Sequence, residues 1–341
     1  MQIHPDDYSE GGAADAALAD GDAPQDAEGA VAPLRLDARA GAGQRLDRFL
    51  ASAIAGLSRP RIPRWIALGA VAVDGAPALP GHRLRGLESI EAWPLPTEAE
   101  RAFEPDAMPL AVVHVDADLM VIDKPAGLVV HPAPGHWRGT LMNGLLHARP
   151  DSAKLPRAGI VHRLDKDTSG LMMVARSEGA FERLTAALAA RTVVRRYLAV
   201  VEGVPPPRFT VDAPIGRDPR DRLRMAVVAP ERGRPAVTHV ERLASVERAA
   251  TLECRLETGR THQIRVHLAH RGHPLVGDAL YGGRTRAGFA RQALHAWRLE
   301  LEHPASGAPM AFASPLPDDL VALLVALGLP PPVQAGPGGR A

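Results

Sequence analysis

A short polar loop, 162–170, carries the first residues whose types suit catalysis. Asp165 is an acid of this loop, and its sequence neighbours include three cations: Arg163, Lys166 and Arg176. Positive charges nearby favour the ionised form of a carboxyl group, which can act as a nucleophile or a base. The alternative is an ordinary Asx-type turn with solvated charges, and the loop alone leaves both open.

A second candidate segment, 257–270, runs from a strand pattern into a helix pattern. Thr261 is predicted to cap this helix. Free backbone amides at a helix start, with Arg260 and Arg265 beside them, are suited to binding a phosphate or a carboxylate. The segment therefore predicts an anion site.

Four histidines crowd the same region, so a metal site has to be weighed: His262, His267, His270 and His273. Their spacings of five, three and three residues place His262 off the helix stripe that the other three share. No cysteine lies nearby, and the closest acid downstream is Asp278. We therefore predict structural roles for most of these histidines, no metal site and no cofactor.

Aromatic residues are scarce, with only 6 Phe, 4 Trp and 3 Tyr, so each is informative. Tyr197 starts a strand pattern and is either a platform for stacking a nucleic-acid base or a half-buried strand tyrosine. Two turns, 123–127 and 216–222, are basic, and the second contains Arg217. Neither turn is specific by itself.

The pattern of the larger part of the chain predicts an α+β fold. Helix patterns occur at 140–147, 178–190, 262–271 and 318–327, and strand patterns at 111–115, 119–122, 159–161, 171–175, 197–201 and 251–256. Several strands follow one another without an intervening helix, which excludes a doubly wound parallel sheet. We expect a mixed, largely antiparallel central sheet with flanking helices.

Composition divides the chain into five segments. Residues 1–33 are acidic and almost free of large apolar side chains, so they are expected to be a disordered tail. A proline-rich linker at 93–109 separates a small domain, 44–92, from a larger domain, 110–328, which contains the catalytic candidates. The Pro- and Gly-rich end, 329–341, is expected to be a second disordered tail.

The small domain has the order helix, helix, hairpin. Apolar residues recur at helical spacing from Leu46, Ser58 is predicted to cap the second helix, and Asp74-Gly75 predicts a hairpin turn. Arginines cluster on the two helices: Arg45, Arg48, Arg59, Arg61 and Arg64. With its RLDRFL, SR and GAVAVDG motifs, the segment resembles the small α/β RNA-binding domain named after a small-subunit ribosomal protein, and this resemblance implies that these arginines bind RNA. It departs from that pattern at Pro63, near the middle of the second helix, and at Leu87-Glu88.

Composition and charge exclude several classes of protein. The 341 residues are 46% hydrophobic, which excludes a wholly disordered chain. No apolar run is long enough to span a bilayer, and Cys254 is the single cysteine, so we expect no membrane association, no disulfide framework and a cytoplasmic location. The net charge is +1 and the acidic tail contributes eight negative charges, so the remainder carries +9. Such a charge favours a polyanionic partner, although an arginine-rich genome composition produces the same excess.

Five ordered motifs between 110 and 327 together resemble the RluA/RluD family of pseudouridine synthases. They are DKPAGLVVHP, HRLDKDTSGL, RRYLAVVEG, PIGRDPRDRLRMAV and LETGRTHQIRVHLAHRGHPLVGDALYG. The resemblance implies that Asp165 is the catalytic aspartate, Tyr197 the active-site tyrosine and Arg260 the partner of the carboxylate. It also implies that Arg163 fills the gap left by the flipped base and that Arg217 contacts RNA.

The expected function is isomerisation of uridine to pseudouridine in a large-subunit ribosomal RNA stem-loop, free or in a pre-ribosomal particle, by a monomer without cofactor. Two alternatives stay open at this point. One is the same chemistry on transfer RNA or another ribosomal RNA site. The other is a non-catalytic RNA-binding assembly factor, for which the basic small domain would suffice.

Overall fold

The computed structural model describes residues 32–332, apart from 56, 80, 97–99, 134, 222 and 223. The chain divides into two compact units, Met1–Glu100 and Arg101–Ala341. The boundary falls inside the predicted linker, 93–109. The predicted tails lie outside the described residues except for 32–33 and 329–332, and Leu329 is buried in the core of the second unit.

The first unit packs two helices on a small antiparallel sheet. Its elements are β1 (Leu34–Asp37), α1 (Leu46–Ala53), α2 (Ile62–Ala67), β2 (Val71–Val73), β3 (Ala76–Pro77) and β4 (Ser89–Ala92). The strand order is β1-β4-β2-β3. Asp74 and Gly75 both have positive φ, which the tight hairpin turn between β2 and β3 requires. The first strand of the unit, β1, begins about ten residues before the predicted domain, 44–92, and supplies an edge of the sheet.

Three details of the small domain differ from the sequence expectation. Pro63 lies in the first turn of α2, where its missing N–H needs no partner, because Arg59–Arg61 forms a separate 3-10 turn. Ser58 makes no side-chain cap. Glu88 accepts hydrogen bonds from the backbone N–H groups of 85–87, and these bonds lower its pKa to about 2. The departures from the family pattern are therefore compatible with the fold.

The second unit is a mixed sheet covered by helices on both faces. Its helices are α3 (Leu141–Ala148), α4 (Glu178–Ala189), α5 (Gln263–His270) and α6 (Asp318–Leu327). Its strands are β5 (Val112–Val115), β6 (Leu119–Lys124), β7 (Ser169–Ala175), β8 (Val194–Glu202), β9 (Arg208–Asp212), β10 (Ile215–Arg217), β11 (Met225–Val227), β12 (Val237–Val246), β13 (Ala249–Leu256), β14 (Leu294–Glu302) and β15 (Pro309–Ala313). The α+β architecture is as expected from the sequence.

Among the described residues, nine of these strands form one sheet. Its order is β5-β6-β7-β14-β8-β13-β12-β9, with β15 added beside β14, and β10 and β11 form a separate hairpin. β7 and β14 are parallel, and the other neighbours are antiparallel. The mixed, largely antiparallel sheet is confirmed. The short strand expected at 159–161 is reduced to a single bridge between Ile160 and Val174.

Alternation along the strands separates two apolar layers. One face packs against α3 and α5, with Met172 and Tyr197 among its strand residues. The other face packs against α4 through Met173 and against α6 through Leu198. The catalytic candidates therefore lie on the α3/α5 face of the sheet.

The segment after the boundary belongs to the second unit. Asn143 of α3 donates hydrogen bonds to the carbonyl oxygens of Ala102 and Glu104, at 2.9 and 2.8 Å. The linker between the two compact units therefore ends near residue 101, earlier than predicted.

No helix among the residues that the structure describes is long and apolar enough to cross a membrane.

Candidate active site

Asp165 lies in the loop that leads into β7 at the centre of the sheet. The loop closes on itself, because the backbone N–H of Thr168 donates to the carbonyl of Asp165. Gly170 follows at φ +114°, and a Cβ there would meet the backbone of Ala296 on β14. A glycine at this position therefore lets the end of the loop approach β14 closely.

Lys124, at the end of β6, is hydrogen-bonded to this loop. Its side chain is 1% exposed, and its ammonium donates to the carbonyl oxygens of Pro125, Leu128 and Lys166 at 2.8–3.0 Å. Burial lowers its pKa to about 8, opposed by the charges of Asp167 and Asp165. The lysine thus joins two loops that are 42 residues apart. The sequence indicates only a basic turn here, because lysine is rarely buried without a partner and its three carbonyl partners come from turns that only the fold brings together.

Arg265 of α5, and not Arg260, binds the Asp165 carboxylate. Its Nη1 donates to Asp165 Oδ2 at 3.3 Å, while Nε and Nη2 donate to the two oxygens of Asp278 at 2.7 and 2.9 Å. Burial opposes the Arg265 charge, but these carboxylates outweigh it and raise the pKa of the guanidinium. The fork of Arg265 is therefore held in place by Asp278 while one nitrogen reaches Asp165.

The expectation that Arg260 pairs with Asp165 is wrong. Arg260 precedes α5, and its Nε donates to the carbonyl oxygen of Pro235 at 3.1 Å. Its backbone N–H donates to the side chain of Gln263. A signal for Arg265 was present in the sequence, because an arginine between the apolar Ile264 and Val266 must have an acidic partner if it is buried.

One cavity of about 560 Å³ brings together four of the five candidate residues of the second unit, and Arg217 does not line it. Asp165, Arg163, Tyr197 and Arg260 all line it. Its apolar lining includes Leu164, Leu256, Ile264 and Leu294. A second cavity of about 300 Å³ shares Asp165 and Arg163 with the first. The space, the apolar wall and the cations suit an uncharged ring joined to a charged backbone.

Tyr197 lies on β8, 5% exposed, between β14 and β13. Burial raises the pKa of its hydroxyl, with Asp165 adding to the effect and Arg195 opposing it. The phenol is therefore protonated at neutral pH. It offers a flat ring and an O–H group to a ligand in the cavity.

The histidines are held by protein groups. His267 contacts Thr238 Oγ1 and the carbonyl of Ala213, and His273 contacts the carbonyl of Glu202. Within the described ranges, no cluster of three or more potential ligands could hold a metal ion. His262, with φ +56°, is the residue before α5, so the expected cap by Thr261 is wrong.

The arginines predicted to bind RNA on the first unit lie on α1, on α2 and around their starts. Arg45, Arg48, Arg59 and Arg64 are exposed, whereas Arg61 is half-buried and lies over the ring of Trp65. Asp47 forms ion pairs with Arg45 and Arg59 at 3.1 and 3.4 Å. Arg217 is exposed at the end of β10 in the second unit. These positions are compatible with a basic surface on each unit.

Comparison with known proteins gives a consistent set of relatives. The model of the RNA pseudouridylate synthase family matches residues 118–270. Ribosomal large subunit pseudouridine synthase D of Neisseria meningitidis serogroup A is 47% identical over 312 residues, covering 88% of this chain and 82% of that protein. The protein of the same name from Nitrosomonas europaea is 50% identical and covers 84% of this chain and 85% of that protein. Among solved structures, human RNA pseudouridylate synthase domain containing 4 is 28% identical with a TM-score of 0.54, covering 65% of this chain and 95% of that one.

Proposed function

Because this chain belongs to the RNA pseudouridylate synthase family, we propose that it converts uridines of large-subunit ribosomal RNA to pseudouridine. The choice of RNA is supported by the relatives called ribosomal large subunit pseudouridine synthase D, which match more than four-fifths of the chain. The choice of chemistry is supported by one observation above all. A carboxylate, Asp165, faces a large cavity and is held by a buried arginine.

The reaction is an isomerisation. The bond between N1 of uracil and C1′ of the ribose breaks, the base turns, and a bond forms between C5 and C1′, while the proton on C5 moves to solvent and N1 gains one. Asp165 either attacks C1′ as a nucleophile, forming an ester that breaks when C5 bonds to C1′, or removes the proton from C2′ to give a glycal and returns it when C5 bonds to C1′. Arg265 keeps a positive charge beside the carboxylate throughout, which stabilises its ionised form.

The target uridine must leave its stacked position before Asp165 can reach the sugar. Arg163 is exposed on the rim of the cavity, where its guanidinium can take the place of the extruded base. Tyr197 provides a ring for stacking and an O–H group for proton transfer near C5. The apolar wall shields the turning base from water.

The first unit has a separate role in this proposal. Its exposed arginines contact phosphates of the stem-loop, as Arg217 does on the second unit, and so keep the RNA near the cavity. The enzyme acts as a cytoplasmic monomer on free or pre-ribosomal RNA.

Mapping pseudouridines in total RNA tests the proposal. Cells with the gene, without it, and without it but complemented are compared at every uridine. Loss of sites in large-subunit ribosomal RNA is expected on deletion, with restoration by the wild type and by Asp151→Asn, an exposed acid paired with Lys154. Asp165→Asn is expected not to restore them. Sites lost only from transfer RNA would refute the ribosomal target, and restoration by Asp165→Asn would refute the assigned nucleophile or base.

A further inference from the structure

His262 has a backbone conformation that needs an explanation. Its φ of +56° is uncommon for a residue other than glycine, and such strain is concentrated at functional sites. The backbone still serves α5, because the His262 carbonyl accepts the N–H of Val266. The side chain is turned toward the wall of the cavity that contains Asp165.

Tyr281 fixes which nitrogen of His262 carries the proton. The Tyr281 hydroxyl oxygen accepts the backbone N–H of Met225 at 3.0 Å and lies 2.8 Å from His262 Nδ1. Among the described residues, Nδ1 is the one acceptor that this hydroxyl contacts, so the phenol donates its single hydrogen there. A neutral imidazole that accepts at Nδ1 carries its hydrogen on Nε2.

The imidazole is neutral at neutral pH. Burial lowers the pKa of His262, and Arg265 and Arg163 add to that effect, whereas Asp165 and Asp278 oppose it. His262 Nε2 lies 3.9 Å from Asp165 Oδ1, which is too far for a direct hydrogen bond. An oxygen atom between them can lie about 2.8 Å from each, within hydrogen-bond distance of both.

We infer that His262 is a further catalytic residue, which donates its Nε2–H to an oxygen of the target ribose beside Asp165, and that Tyr281 positions it. The inference rests on the proposed function. In either route Asp165 engages the ribose at C1′ or C2′, so the oxygen that enters this gap is a ribose oxygen. The bond holds the sugar in line with the carboxylate while the base leaves.

Tyr281 also contacts Arg265, so the test must exclude the alternative that Tyr281 acts through Arg265 and not through His262. The Arg265 guanidinium lies over the Tyr281 ring at 5.0 Å. Tyr281→Phe keeps this ring contact and removes only the hydroxyl. If Tyr281 acts through His262, removing its hydroxyl has no further effect once the imidazole is gone.

A double-mutant cycle tests the inference with the full-length chain and unmodified large-subunit ribosomal RNA made by transcription in vitro. The variants are Tyr281→Phe, His262→Asn, the double variant and His270→Asn, which makes the same change at the exposed end of α5. Asparagine tolerates a positive φ, so His262→Asn preserves the backbone. Single-turnover rates at saturating RNA, half-saturating RNA concentrations and thermal unfolding midpoints are measured.

We expect rates about 10-fold lower for Tyr281→Phe and about 100-fold lower for His262→Asn, because each loses one positioned donor. The double variant is expected to match His262→Asn within about twofold, with half-saturating RNA within about threefold of wild type throughout. His270→Asn is expected to match wild type.

Two results would overturn the inference. One is a His262→Asn rate within twofold of wild type. The other is a double variant whose fold loss of rate equals the product of the losses in the two single variants. Absence of conversion by the wild type would instead refute the proposed function and, with it, this inference.

Discussion

Arg265 lies between two acids, and each acid constrains it differently. Asp278, whose side chain is 1% exposed, binds it with two short hydrogen bonds, whereas Asp165 receives one longer bond from Nη1. The first pair is structural and fixes the guanidinium plane. The second leaves the Asp165 carboxylate free on its cavity side, as a nucleophile or base requires.

Replacing Arg265 by Gln is predicted to destabilise the protein and to slow the reaction. The change leaves Asp278 buried without its cation, and breaking a buried pair in this way costs about 3–5 kcal/mol. Urea unfolding measures the stability, and single-turnover assays measure the rate. Arg260→Gln, on the same cavity wall, is the matched control and is expected to change the unfolding free energy by about 1 kcal/mol or less. If Arg260→Gln loses more rate than Arg265→Gln, then Arg260 and not Arg265 is the functional partner of the Asp165 carboxylate.

At the level of strands and loops, the site depends on two neighbouring loops. One follows β6, and the other, which contains Asp165, precedes β7. The strands pair antiparallel, with Lys124 opposite Gly170, so the end of β6 lies under the catalytic loop. The Lys124 ammonium then ties both loops together through three backbone carbonyl groups. Geometry at Asp165 therefore depends on a residue that does not line the cavity described above.

Lys124→Met is predicted to lower the single-turnover rate by about 10-fold or more and to lower the unfolding midpoint. It removes a donor from three carbonyl groups, those of Pro125, Leu128 and Lys166. Among the described residues, only the Lys166 carbonyl also accepts a backbone N–H, from Gly127. Each buried acceptor left without a partner costs about 1–3 kcal/mol. Lys154→Met removes an exposed lysine that pairs with Asp151 and is expected to behave as wild type. If Lys124→Met and Lys154→Met have the same rate and the same unfolding midpoint, the hydrogen bonds of Lys124 contribute neither to catalysis nor to stability.

The same lysine predicts a dependence on pH. Because burial lowers the Lys124 pKa to about 8, the folded enzyme loses this proton as pH rises through that value. The neutral amine has two N–H groups for three carbonyl groups. The wild-type rate is therefore expected to fall between pH 7 and 9 relative to the rate of Lys124→Met, which has no group to titrate there. Parallel pH profiles of the two proteins would contradict this explanation.

Across the molecule as a whole, the proposed function predicts that the first unit anchors the RNA and the second carries out the chemistry. Deleting residues 1–100 is predicted to raise the RNA concentration needed for half-saturation and to leave the saturated rate nearly unchanged. The salt dependence of binding should become flatter by a slope of about 0.7–0.9 for each phosphate that the truncated enzyme no longer binds. Residues 101–109 are retained, since Ala102 and Glu104 are bonded to α3. Unchanged affinity and salt slope in a folded truncated enzyme would exclude the first unit as the anchor.

Dialysis against EDTA is predicted to leave activity unchanged. His262, His267 and His273 all contact protein groups, and among the described residues no group of three or more potential ligands could hold a metal ion. Elemental analysis before and after dialysis shows whether any metal is retained in stoichiometric amount. Activity that is lost on dialysis and restored by zinc would contradict the prediction.

The local elements and the family could be predicted from the sequence alone. Helical spacing from Leu46, the Asp74-Gly75 turn and the strand and helix patterns of the larger part are properties of neighbouring residues, and most appear where expected. The 162–170 loop marked Asp165 because its motif is contiguous in the chain. The errors at Pro63 and Thr261 are errors in where a helix begins. Helix α2 begins at Ile62, so Pro63 lies in its first turn, and α5 begins at Gln263, so the residue before it is His262.

The sequence indicates that a buried Arg265 needs an acidic partner, but its pairing with Asp165 could be identified only in the folded chain. Arg260 and Arg265 are both near in sequence to a predicted anion site, but Asp165 is 100 residues away from Arg265, and Asp278 determines where the guanidinium points. The Lys124 clamp spans 42 residues, and the contact of His262 with Tyr281 spans 19. Such pairings depend on how strands and helices meet across the sheet, which composition, periodicity and spacing do not encode locally.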